Sequence, residues 1–99
     1  YRVKIIISEF TQLLIEEHFL TRKLDTIKVK GKDNAVGIYE LMDNSQENQA
    51  IKVAYEKALV AYELGNIIEA KTLFLEKTLS QDVTTKAFLA INRKKFELS

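Results

Sequence analysis

The feature that most limits what this chain can fold into is a change of hydrophobic period part-way along it. Through residue 41, one short helical stretch apart, apolar side chains recur at every second position, the repeat of a strand buried on one side. Beyond residue 48 they recur at three and four, the repeat of an amphipathic helix. Between the two, residues 42–48 change abruptly from β-branched to polar. A chain with both periods in that order is α+β, and the boundary between its two parts is expected at residues 43 and 44.

The first part opens with strict alternation. Tyr1, Val3, Ile5 and Ile7 fall on one face of a strand, Arg2 and Lys4 on the other. Ser8 supplies a capping hydroxyl for a helix whose Phe10, Leu13 and Leu14 share a face and which is expected to end near Glu17 or His18. Period two then returns, with Thr26, Lys28 and Lys30 on one side and Ile27 and Val29 on the other, but Leu24 is out of phase. A bulge or bend near Asp25 restores the phase. Gly31, Lys32, Asp33 and Asn34 suit a turn, and Val36, Ile38 and Tyr39 resume the strand pattern, so residues 19–41 predict a hairpin.

The second part reads as helices. Asn44 and Glu47 have capping-box spacing, and Ile51, Ala54, Tyr55, Ala58, Leu59 and Tyr62 mark one stripe that should stop at Gly65. Asn66 and Glu69 repeat the capping spacing, and Ile67, Ala70, Leu73, Phe74 and Leu79 are assigned to a second helix. Small residues at Ala58 and Ala70 let the two approach closely as an antiparallel pair. Asp82 is placed as the cap of a third helix with Ala87, Phe88, Ile91 and Phe96 on its apolar stripe, its last turns carrying Arg93, Lys94 and Lys95.

Composition excludes several function classes. With 46% hydrophobic and 29% charged residues the chain is of the globular kind, and a formal charge of +1 gives no field to attract nucleic acid, so no nucleic-acid partner is expected. The absence of cysteine rules out disulfides and zinc–thiolate sites and fits a cytoplasmic setting. His18 is the one histidine, and beside Glu16 and Glu17 it reads as a solvent-facing helix end; no metal ligand set is expected. No apolar run approaches the roughly 20 residues that span a bilayer, and there is no signal-peptide layout. The chain opens at Tyr1 inside a strand pattern, which reads as a fragment of a longer polypeptide. Two short parts have little apolar area each, so mutual docking and self-association, giving a homo-oligomer, are expected.

The most specific stretch is RKLDTIKVKGK at residues 22–32, followed by VGIYEL at residues 36–41 and preceded by Ile7, Ser8 and Glu9. In order and spacing residues 1 to about 42 resemble the end of the catalytic domain of class III adenylate/guanylate cyclases. One departure is Ala35, where many relatives carry proline, which concerns the turn and not the chemistry. The resemblance implies a partial cyclase-type, ferredoxin-like strand–helix–hairpin, and a parent enzyme that converts ATP, or less readily GTP, to a 3′,5′-cyclic monophosphate and pyrophosphate. It further implies a dimeric parent using two magnesium or manganese ions. The metal-binding aspartates and transition-state residues of that family lie upstream of the matched segment, so no catalytic or metal-binding residue is assigned to this chain. The family position that survives is Lys30, which in relatives contacts the triphosphate; a compact ammonium beside a glycine turn suits a phosphate chain. Read from spacing alone, Lys28, Lys30 and Lys32 are solvated lysines of a hairpin. Arg22 and Asp25 also match the family, and are read as pairing or capping groups that hold structure.

Downstream, Ala58, Tyr62, Gly65, Ala70 and Phe74 resemble a single tetratricopeptide-type repeat. Residues 1–43 are thus assigned to the end of a cyclase domain and 44–99 to a tetratricopeptide-like tail. The tail is read first as a docking strut or dimer contact, with a groove for a protein partner as the alternative. Membrane tethering of the parent, with this region on the cytoplasmic side, is left open.

Overall fold

The computed structural model describes residues 5–28, 31 and 34–97. Tyr1, Arg2, Val3 and Lys4, at the start of the expected first strand, and Val29, Lys30, Lys32 and Asp33, in the expected hairpin, lie outside the described residues. Strands β1 (Ile6–Ser8), β2 (Leu20–Lys28) and β3 (Ala35–Met42) form one antiparallel sheet in the order β1-β3-β2. The α+β expectation is met.

The hairpin forms as expected, and so does the bulge near Asp25. The ladder pairs Leu20 with Met42 through to Lys23 with Tyr39, skips, and resumes with Asp25 opposite Ile38. The residue set aside by the skip is Leu24, which the extra position turns into the core with no exposure to solvent. A bulge is therefore what reconciles an out-of-phase leucine with a buried face. At the turn Gly31 has φ +83°, a left-handed conformation that glycine enters without a Cβ clash.

Between β1 and β2 lies helix α1 (Glu9–Ile15), capped by the Ser8 hydroxyl, which accepts from the Thr11 amide at 3.3 Å. It ends two residues before the expected Glu17. Its apolar stripe is formed as the periodicity requires but left uncovered among the described residues, with Phe10 68%, Leu13 62% and Leu14 82% exposed.

Among the described residues four α-helices come after the sheet: α2 (Gln46–Glu63), α3 (Ile67–Phe74), α4 (Val83–Ile91) and α5 (Arg93–Glu97). The cap of α2 is Ser45, whose hydroxyl accepts from the Asn48 amide; Asn44, the expected cap, instead accepts from the Gln49 side chain through its own carbonyl. Helix α2 ends at Glu63 with Leu64 as its C-cap, and the chain turns away at Gly65, the expected stop. With φ +85° there, Gly65 donates to the Tyr62 carbonyl and Asn66 to that of Ala61, which satisfies two of the last free acceptors. Helix α3 stops at Phe74, so Leu79 is not on it: Leu79 is buried from a 3₁₀ turn at Lys77–Leu79. The expected single third helix is broken at Asn92. The Asn92 side-chain amide, through Nδ2, donates back to the Phe88 carbonyl at 2.9 Å, the local competition that ends helices at such residues, and Ile91 is left exposed.

The core lies among the helices and is closed by the sheet. Tyr55, Ala58, Leu59, Ala70, Phe74, Leu79, Phe88 and Phe96 come from the helical part, and Leu24 is the strand residue fully buried with them. Five rings interlock, with Phe88 touching Tyr55, Tyr62, Phe74 and Phe96 at centroid separations of 4.9–6.3 Å.

Helix α2 lies along the outer edge of β2, the side away from β3. The Lys52 ammonium donates to the Thr21 carbonyl, the Lys23 amide donates to Glu56 at 2.8 Å, and the Tyr55 hydroxyl donates to the Leu24 carbonyl at 2.7 Å. Three side chains thus satisfy backbone groups that an edge strand would otherwise offer to water.

Candidate functional site

The most concentrated polar chemistry in the described residues is where sheet and helices meet. Arg22 on β2 and Glu40 on β3 are cross-strand partners, so both project from one face of the sheet. Asp82 arrives on the same spot as the N-cap of α4. The Arg22 guanidinium donates twice to Asp82, at 2.6 and 2.9 Å, and twice to one Glu40 oxygen, at 3.1 and 3.3 Å. Its Cζ lies over the Tyr55 ring, 4.9 Å from the centroid. Thr84 donates to Glu40 at 2.9 Å, and Thr85 donates to Asp82 through both its hydroxyl and its amide. Arg22 is 1% exposed, and no buried side-chain nitrogen or oxygen among the described residues lacks a partner.

Arginine suits this place because its planar fork can serve two carboxylates at once and keeps its charge when buried. Burial works against the charged guanidinium, but Asp82 and Glu40 outweigh it and raise its pKa. For Asp82, burial alone would push the carboxyl up; hydrogen bonds from Arg22 and Thr85 and the Arg22 charge prevail and hold it below the usual carboxylate range. Asp25 goes the other way. Burial and the nearby Glu63 raise it, against the Thr26 amide that donates to it.

Arg22 accordingly pairs to hold structure, as read from sequence. Asp25 takes no part in that pairing and accepts from the Thr26 amide instead. The arginine's partner on α4 was missed. Asp82 was legible as a helix cap, but nothing in periodicity joins it to a residue 60 positions away. His18 is exposed in the turn after α1. Lys30, the expected triphosphate contact, lies outside the described residues; Lys28, at the end of β2, is exposed. Lys23 is drawn instead toward Glu63, 3.4 Å away at the α2 end.

Over 68 residues the chain is 37% identical to "Adenylate cyclase, terminal-differentiation specific" of Dictyostelium discoideum, a stretch that covers 66% of this chain. The chain is related in sequence to an adenylate cyclase. It spans about 3% of the length of that protein. No family model matches the chain. No solved structure matches it.

Two-thirds of 99 residues is more than residues 1–43 can hold, so the related stretch includes strands and helices together. The described residues contain no group of three or more histidine, cysteine, aspartate or glutamate side chains that could hold a metal ion. Among the described residues no helix is long and apolar enough to cross a membrane.

Proposed function

We propose that residues 1–43 close the catalytic domain of a class III nucleotide cyclase, that residues 44–99 are its tetratricopeptide-like tail, and that the parent converts ATP to cyclic AMP and pyrophosphate in the cytoplasm. The observation that carries this reading is the 68-residue similarity to an adenylate cyclase, which is long enough to include both parts. In the parent, the segment completes the sheet and offers Lys30 to the triphosphate. The metal-binding and transition-state residues are supplied from upstream, and this chain alone is inactive.

The test is the parent polypeptide assayed with ATP and magnesium or manganese. Cyclic AMP and pyrophosphate should form together, and Lys30→Ala should raise KM for ATP about tenfold to a hundredfold, the worth of one charge-assisted hydrogen bond. No cyclic nucleotide from the parent, or tight lysine-dependent ATP binding by the 99-residue chain alone, overturns the reading.

A second reading has its own observation. Val53, Val60 and Leu64 lie on the face of α2 opposite its core stripe, and each is more than half exposed. Apolar side chains aligned in this way suit a docking surface, and we propose self-association through the tail as a non-catalytic role. Sedimentation should then show a dimer that Val60→Glu dissociates; a strictly monomeric, folded chain at high concentration removes this role.

A further inference from the structure

We propose that Asp82, Arg22 and Glu40 form a latch by which the helical tail fixes the base of the β2–β3 hairpin, making Asp82 a positioning residue for whatever that hairpin contacts. The proposal rests on the cyclase reading for its consequence in catalysis, but not for the latch itself.

The junction between sheet and helices is unusual in what fills it. From the strands, Leu24 is the fully buried apolar contribution, while Thr21, Arg22 and Glu40 are buried beside it. An apolar junction tolerates small sliding, because dispersion contacts can be exchanged for others of similar strength. A fork of four donor contacts does not. It is made with both carboxylates in place or it leaves buried charge unpaired, so the junction has two states, docked and parted.

The latch also sits where the ladder needs support. Register is lost and regained between Lys23 and Asp25, immediately beyond Arg22, and a bulge weakens pairing locally. By holding Arg22 and its partner Glu40 together, Asp82 braces the strand pair at that weak point. On the other edge of β2, α2 grips the Thr21 carbonyl, the Lys23 amide and the Leu24 carbonyl. These holds fall within residues 21–24, and a last one, further along the strand, is at Thr26, whose hydroxyl donates to Glu63 at the end of α2. Past them β2 runs out to exposed Ile27 and Lys28. The tail thus clamps one end of the hairpin and leaves the other to project, so that a shift of α4 changes the direction of the projecting end.

Asp82→Asn separates this role from helix capping, since asparagine caps as well as aspartate but carries no charge for Arg22. Hydrogen exchange on the 99-residue chain should show amides around Arg22 and Glu40 exchanging at least about tenfold faster, with the interior amides of α2 and α3 unchanged. Unchanged strand amides overturn the latch, and so does equal acceleration everywhere, which would mark Asp82 as a general stabiliser. Should Asp82→Asn fail to fold, Thr84→Val removes one donor to Glu40 while leaving Arg22 and Asp82 intact, and should loosen the same strand amides to a smaller degree. In the parent enzyme, Asp82→Asn should raise KM for ATP with kcat held within about twofold, because positioning of a binding element is lost and not a reacting group. If the parent makes no cyclic nucleotide, the cyclase reading falls while the exchange result still decides the latch.

Discussion

Replacing Arg22 with methionine should lower the unfolding free energy by about 3–5 kcal/mol, read from urea denaturation of the 99-residue chain. The side chain that is lost matters less than the two that remain. Glu40 and Asp82 would face each other in a nearly water-free site with the shared cation gone. For a chain of this length the whole stability is about 5–15 kcal/mol, so the change removes about a fifth of it or more. Changing all three together, Arg22→Met with Glu40→Leu and Asp82→Asn, should recover most of the loss, because a buried ion cluster can be exchanged for apolar packing at little net cost. A single Arg22→Met that costs less than about 1 kcal/mol would mean that water reaches the cluster and that it is not closed.

The same cluster sets an acid response, and its sign is fixed by Asp82. The folded chain holds that carboxyl below its unfolded pKa, so its contribution is present in full above the ordinary carboxylate range. It is lost as pH falls through the lowered, folded value. Asp25 opposes this, because its raised pKa makes the folded chain the better proton acceptor there and acidification relieves that cost. Removing Asp25 with Asp25→Asn should therefore steepen the acid loss, and Arg22→Met should flatten it.

The second large effect is expected at Phe88, where alanine should cost about 3–5 kcal/mol. The ring touches four others, and truncation leaves a hole that none of them can fill without losing an edge-to-face contact. Phe10→Ala is the control. The same chemical change on the exposed face of α1 should stay within about 0.5 kcal/mol. For a chain of this size each kcal/mol moves the melting midpoint by about 4–8 °C, so a thermal scan separates the two at once. Equal shifts would mean that the five rings are not the core.

What was legible in the sequence was what repeats. Period two located the hairpin, and the lapse of phase at Leu24 located its bulge, since a register defect must appear as an out-of-step apolar residue. The core stripe of α2 and the stop at Gly65 were equally plain. Periodicity says which residues share a face but not what lies over it. Phe10, Leu13 and Leu14 share one and remain exposed. It also runs straight through local breaks: apolar spacing continues across Asn92, where a side-chain amide ends the helix. The Arg22 cluster was hidden for a different reason. Its members come from two strands and a helix cap, each with an ordinary local explanation, and only the fold reveals that they meet.

The grip of α2 on the edge of β2 bears on inheritance. Lys52, Tyr55 and Glu56 stand where a fourth strand could hydrogen-bond. A gene fusion that kept residues 1–43 and replaced the helices with an unrelated segment would carry an open strand edge into the new protein, free to recruit other chains into fibrils. Recombination at that seam should therefore be penalised, and strands and helices of this kind should descend as a unit.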